Sequence, residues 1–435
     1  MGRRGIGKLV AAAVAGLLLA SAAPASATPP VEKPGPPLSV PAAALAASLR
    51  CPADLHGGPP PVLLVPGTGE DPDWYSWSYE PALTKLGVPW CTVTFPAHST
   101  ADIQIAGEYV VNAIRTMYAR AGRRIDVLGH SQGGMVPRWA LRFWPDTRAM
   151  VDDLVALAPS NHGTESARPV CASECNAATW QQKTGSNFIG ALNDPVETFA
   201  GISYTDVYTH DDEVVTPNFD ATGSSSLHTG AGRISNVAVQ DLCPADSSDH
   251  LALGSFDPIG YALAIDALTH DGPADPARIG KAVCLQPFQP GVNPTTFPAD
   301  YASASTRVVE QFAGGKGLPA EPPLACYATG DGACPGAAAA TKGERRAGRR
   351  HRLLASVRPR RLREGRRLIL RVRVRRYRHG RLVPVAGAHV RFAGLRASTD
   401  RHGRAVLRKR VRHHGLVRVL VTKRGYRHAV RHVRV

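Results

Sequence analysis

The chain has 435 residues, of which 43% are hydrophobic and 20% charged, with a formal net charge of +17. That length allows two or three domains, and the apolar share supports a sizeable core, which excludes wholesale disorder and a collagen-like repeat. The charge is unevenly placed: residues 341–435 hold 32 of the 52 Lys and Arg against only Glu344, Glu364 and Asp400, a net +29, whereas residues 28–340 hold 17 basic and 32 acidic residues, a net −15.

Arg3, Arg4 and Lys8, an apolar stretch from position 9 to 20 and then Ala25-Ser26-Ala27 follow the order of a secretory signal, so residues 1–27 are expected to be removed after Ala27. The apolar run falls short of the ~20 residues that span a bilayer, and no later segment is expected to do so. The Arg pair is only a weak hint of a twin-arginine route. Export makes disulfides available to the eight cysteines, Cys51, Cys91, Cys171, Cys175, Cys243, Cys284, Cys326 and Cys334. Nearness suggests Cys171 with Cys175 and Cys326 with Cys334, and leaves the other four to close longer loops. No C-x-x-C pair occurs, which argues against structural zinc.

Residues 28–50, rich in Pro and Ala, read as a leader running over the surface. The apolar run Val62-Leu63-Leu64-Val65 reads as a buried parallel strand, and a second strand is expected over 90–95. Apolar residues at helical spacing over 103–118 predict an amphipathic helix, followed by a strand over 125–128, a helix over 132–143, strands over 154–157, 204–208 and 236–239, and a helix over 261–268. Alternation of this kind predicts an α/β domain over 51–335 with a mainly parallel sheet and helices on both faces. Residues 161–200 lack a clear period and read as an excursion above the sheet, suited to walling a substrate site. A linker is expected over 336–350. Beyond it, the partial alternation of apolar and basic residues over 368–374 and 417–421 predicts a small β-sandwich over 351–435 whose outer faces carry arginine.

Gly129-His130-Ser131-Gln132-Gly133 sits between a strand and a helix, the setting in which G-x-S-x-G presents a nucleophilic serine. The glycines leave room for a tight turn, and the helix N-terminus offers N–H groups to a developing oxyanion. A serine hydroxyl needs a base and an orienting carboxylate, expected in the order Ser, Asp, His. Among His162, His210, His228, His250 and His270, His250 fits best, in a loop after the last strand; His270 reads as a helix cap. Asp206, Asp211 and Asp212 cluster at the end of the strand over 204–208; Asp206 reads as a solvated carboxylate, and Asp211 and Asp212 are not separated by the residues alone. Pro66-Gly67-Thr68-Gly69 follows an early strand, which makes the N–H groups of Thr68 and Gln132 the candidate oxyanion hole, with the Thr68 hydroxyl as an additional donor.

The segments Leu63-Leu64-Val65-Pro66-Gly67-Thr68-Gly69, Ser131-Gln132-Gly133-Gly134, Trp180-Gln181-Gln182-Lys183-Thr184-Gly185-Ser186, Asp212-Glu213-Val214-Val215 and Asp249-His250 together resemble the Candida antarctica lipase B-like family of α/β-hydrolases, over about residues 45–335. The resemblance implies an α/β-hydrolase fold with Ser131, Asp212 and His250 as the catalytic triad and Thr68 and Gln132 as the oxyanion hole. It selects Asp212 over Asp211, and it implies Cys51 with Cys91, Cys243 with Cys284, and Cys326 with Cys334. Two departures stand out: Cys171 and Cys175 are an added pair, and His130 occupies the position where the yeast lipase has Trp.

The expected activity is that of a secreted carboxylic ester hydrolase working through an acyl-enzyme, with acylglycerols as first substrate class and polyesters or short-chain esters as alternatives. No metal or organic cofactor is called for, and a monomer is the favoured state. Pro384-Val385-Ala386-Gly387-Ala388 and Thr399-Asp400-Arg401-His402-Gly403 resemble the small immunoglobulin-like modules of secreted bacterial enzymes, with far more arginine, and that charge suggests binding to an anionic cell-surface polymer or lipid. Nucleic acid is the weakest partner, because Tyr377, Phe392 and Tyr426 are the only aromatics there. A plain solvated module, or one paired with the acidic domain, is the alternative.

Overall fold

The structure is a computed structural model that describes residues 30–329 and, in the C-terminal segment, 351–358, 367–378, 381–393, 395–410, 416–423, 426–427 and 429–434. The signal segment, the linker and Cys334 lie outside the described residues. The chain divides into two compact units, one ending at Cys334 and one beginning at Pro335.

The first unit is built on a seven-stranded sheet. Its strands are β1 (Leu49–Arg50), β2 (Val62–Val65), β3 (Trp90–Val93), β4 (Ile125–His130), β5 (Val151–Leu157), β6 (Ser203–Tyr208) and β7 (Arg233–Ala238), in the spatial order β1-β3-β2-β4-β5-β6-β7. Only the edge pair β1 and β3 is antiparallel; the pairs from β2 onward are parallel. All four residues of β2 are buried, and they divide by alternation. Leu63 and Val65 join one core with the helices Ile103–Ala121 and Gln132–Phe143, while Val62 and Leu64 join a second with Tyr79–Lys85 and Pro258–Thr269. A strand covered on both faces has no polar side to expose, which is why these strands read as continuous apolar runs.

Three expectations change. The leader is part of the domain: residues 42–48 form the helix Ala42–Ser48, Leu45 is buried, and Val31, Leu38 and Val40 pack against the core. A helix Phe297–Gly314, whose only buried residue is Ala304, was not among the expected elements, although Phe297, Tyr301, Ala304, Val308 and Phe312 recur at helical spacing. The run His250–Thr269 is long and apolar enough to cross a membrane by length and composition, contrary to expectation, yet 78% of its apolar 18-residue window is buried, as in the core of a folded unit.

In the second unit, Arg367–Arg378 pairs antiparallel with Leu354–Arg358, Arg381–Pro384 and Arg404–Arg410. A second antiparallel sheet joins His389–Phe392, Leu395–Ser398, Leu416–Thr422 and Ala429–Arg434. Leu370, Val372 and Val374 from the first sheet share one core with Val390, Phe392, Val419 and Val421 from the second, the arrangement of a small β-sandwich.

Candidate active site

Ser131 follows β4 directly and has φ 55° and ψ −123°, outside the regions L-residues ordinarily adopt. The turn needs its glycines: a Cβ on Gly129 would run into the Gly133 carbonyl, and one on Gly133 into the Val65 carbonyl. The chain then enters the helix Gln132–Phe143, whose first amides have no acceptor four residues back within the helix.

Asp212 lies in the turn after β6, and His250 opens the single helical turn His250–Leu253 rather than sitting in an open loop. His250 Nδ1 is 3.0 Å from Asp212 Oδ2, while Asp212 Oδ1 accepts the N–H groups of Val214 at 3.0 Å and Val215 at 2.7 Å. Those bonds hold the carboxylate in place, and they are available to Asp212 and not to its exposed neighbour Asp211. Burial alone would lower the His250 pKa, but the charge and hydrogen bond of Asp212, then the charges of Glu213 and Glu70, outweigh it and leave the imidazole above its usual value.

Thr68 lies in the loop after β2. Its hydroxyl donates to Gln132 Oε1 at 2.9 Å and accepts from Gln182 Nε2 at 2.8 Å, so in this state its proton is turned to Gln132. Gln182 is in turn anchored by the Ser160 hydroxyl, which donates to its Oε1 at 2.8 Å. Gln182 ends the helix Ala177–Gln182 and belongs to the motif over residues 180–186, which was the only signal for it in the sequence.

Ser131, His250, Thr68 and Gln182 all line one cavity of about 320 Å³. Its remaining wall is mainly apolar, from Val170, Val214, Val215, Leu251, Val308 and Phe312. The excursion supplies Thr164, Ser166, Ala167, Val170, Thr179 and Gln182, as expected, and the helix Phe297–Gly314 supplies Val308, Val309 and Phe312. Around it Val170, Val214 and Val309 are 47%, 39% and 64% exposed, an apolar rim.

The other candidates lie elsewhere. His162 Nε2 pairs with Glu197 at 2.6 Å and its ring stacks on His228; His270 bonds the carbonyl of Asp266 at the end of its helix, and the His210 N–H bonds Gln240. Asp206 is not a solvated carboxylate. It is 1% exposed on β6, accepts from Asn161 at 2.7 Å, and burial pushes its pKa up to about 7 against the opposing pull of Arg138. Disulfides join Cys51 with Cys91, Cys171 with Cys175, and Cys243 with Cys284. Cys326 is also disulfide-bonded.

No protein-family model matches the chain. Lipase B of Pseudozyma antarctica is 37% identical over 224 residues, which are 49% of this chain and 64% of that protein's length. The crystal structure of Aspergillus fumigatus lipase B superposes with a TM-score of 0.63 at 30% identity, over 71% of this chain and 77% of the fungal one.

Proposed function

The chain belongs to the lipase B-like family of α/β-hydrolases, and from that premise we propose that it is a secreted serine esterase of the lipase type. Ser131 attacks the ester carbonyl while His250 Nε2 takes its proton and later returns it to the leaving alcohol. Asp212 keeps the imidazole in the tautomer with hydrogen on Nδ1 and stabilises its protonated form. The main-chain N–H groups of Thr68 and Gln132 receive the negative charge that develops on the carbonyl oxygen, and the Thr68 hydroxyl joins them if it turns from Gln132. The acyl-enzyme is then opened by water through the same groups.

The observation that carries this reading is the cavity that brings Ser131 together with an Asp212-held His250 beneath an apolar rim. Apolar walls suit an acyl chain, and an apolar rim suits a lipid–water boundary, so acylglycerols are the first substrate class. Signal cleavage after Ala27 and an extracellular location agree with the three described disulfides, which persist in oxidising compartments. A chain-length series of nitrophenyl esters on wild type and Ser131→Ala tests the mechanism. Turnover is expected to vanish in the variant, and persistence of activity there sinks the reading.

The C-terminal unit supports a second part of the proposal, attachment to an anionic lipid surface. Arg371 lies opposite Arg358 on one side and Val406 on the other, and Arg373 opposite Ser356 and Arg404, with Ile369 opposite Arg408. Arg358, Arg371, Arg373, Arg404 and Arg408 are therefore exposed on one sheet face, interleaved with Ile369 and Val406 at 40% and 48% exposure. Planar cations with aliphatic side chains between them suit phosphate headgroups above acyl chains, each cation being worth about 1 kcal/mol near such a surface. The full chain is expected to sediment with phosphatidylglycerol vesicles at low salt and not with phosphatidylcholine vesicles. Arg371→Glu with Arg373→Glu is expected to abolish this. Retention on an anionic wall polymer but not on vesicles overturns the lipid assignment.

A further inference from the structure

The mechanism leaves unused a buried acid–imidazole pair beside the nucleophile. His130 is fully buried and Glu70 is 2% exposed. His130 Nδ1 lies 2.5 Å from Glu70 Oε1, and Glu70 Oε2 accepts the Gly67 N–H at 2.5 Å. On the other side of the ring, His130 Nε2 lies 3.0 Å from the main-chain oxygen of His250. The Tyr75 hydroxyl accepts the His130 main-chain N–H at 3.1 Å, and Trp74 stacks on the ring with centroids 5.7 Å apart.

The identity of these partners dictates where hydrogens sit. A carbonyl oxygen can only accept, so Nε2 of His130 carries a hydrogen. The other nitrogen faces a carboxyl oxygen, so a second hydrogen lies between Nδ1 and Oε1; without it a lone pair would face a buried carboxylate, at a high desolvation cost. Whether written as imidazolium with carboxylate or as neutral ring with carboxylic acid, the pair holds that one proton and is neutral as a whole. It also joins three parts of the site: the loop after β2 through Gly67, the strand end that carries Ser131, and the main chain of His250, whose ring centroid is 4.7 Å away.

We propose that Glu70 and His130 are a positioning couple that shares one buried proton and holds the oxyanion loop, the nucleophile turn and His250 in mutual register. The proposal rests on the assignment of Ser131 and His250 to ester hydrolysis. The couple adds only Glu70 to the cavity lining, while the apolar wall that suits an acyl chain comes from Val170, Val214, Leu251 and Phe312, so loss of the couple acts mainly on kcat. Glu70→Ala removes the acceptor of two donors, whereas Glu70→Gln can accept the Gly67 N–H through its carbonyl and donate to Nδ1 of a neutral ring that keeps its Nε2 hydrogen.

The test uses the full chain with a short nitrophenyl ester and, separately, proton and nitrogen NMR of the histidine side chains in Ser131→Ala. Glu70→Ala is expected to lower kcat by about 10- to 100-fold, the scale of small misplacements of catalytic groups, with KM within about twofold of wild type. Glu70→Gln is expected to recover most of kcat. NMR of Ser131→Ala should show a strongly downfield imidazole proton, besides that of the Asp212–His250 pair, that is absent when Glu70→Gln is added. Wild-type kcat in Glu70→Ala, equal loss in both Glu70 variants, or absence of that proton overturns the couple. The NMR arm needs neither turnover nor a folded Glu70→Ala, so it decides the couple even where wild type proves inactive on esters, which would overturn the hydrolase reading alone.

Discussion

The two units treat their charged side chains in opposite ways. The first takes Glu70, His130, Arg138, Asp206, Asp212 and His250 inside, each with specific partners. The second keeps Leu370, Val372 and Val374 inward and Arg371 and Arg373 outward, and Thr399 is the one buried polar side chain among its described residues. A buried polar group must be matched by a partner in one geometry, so the first unit can place a proton at a stated atom. An exposed row of guanidinium groups tolerates many partner geometries, so it can supply attraction but little selectivity.

Experiments that remove one side of this contrast should differ greatly in size. Ser131→Ala is expected to reduce kcat by roughly 10⁵- to 10⁶-fold in single-turnover and steady-state assays, as loss of a triad nucleophile does. Asp212→Asn should cost on the order of 10⁴-fold, because the imidazole then loses its tautomer partner. In wild type the base must be neutral in the free enzyme, so kcat/KM should rise with pH through a midpoint above the ordinary histidine value of about 6.5, as the raised His250 pKa implies. A pH–rate profile with its acid limb below that value contradicts the assignment.

Smaller effects probe charge without chemistry. Arg371→Glu with Arg373→Glu should leave soluble-ester turnover unchanged while abolishing salt-sensitive vesicle binding, measured by co-sedimentation. Asp206, with its folded pKa up at about 7, contributes stability that is present below its unfolded value of about 4 and is lost as pH rises through 7. Asp206→Asn should therefore gain on wild type between those limits and melt measurably higher above them, with no such gain below about pH 4. An equal melting difference at low and high pH would falsify the link to titration.

Much of the first unit was legible in its residues because the signals are local. Four consecutive apolar residues mark β2, the helical period marks Ile103–Ala121, and Gly129 to Gly133 mark a turn that only small residues fit. The helix Phe297–Gly314, which walls the cavity, was absent from the expected elements even though Phe297, Tyr301, Ala304, Val308 and Phe312 recur at helical spacing. The helix Ala42–Ser48 was hidden by Pro- and Ala-rich surroundings, and Asp206 looked solvated because nothing in its neighbours reveals a buried Arg138.

By itself the sequence determined what depends on near neighbours: the parallel α/β pattern, the tight glycine-flanked turn at Ser131, the alternating arginine strands and the division of charge between the two halves. Tertiary structure alone decided which distant polar groups meet. His130 finds Glu70 at a separation of 60 residues and the His250 carbonyl at 120, and Gln182 reaches Thr68 across 114. No periodicity encodes such meetings, because they arise only where strand ends converge in space and burial forces every polar atom to find its partner.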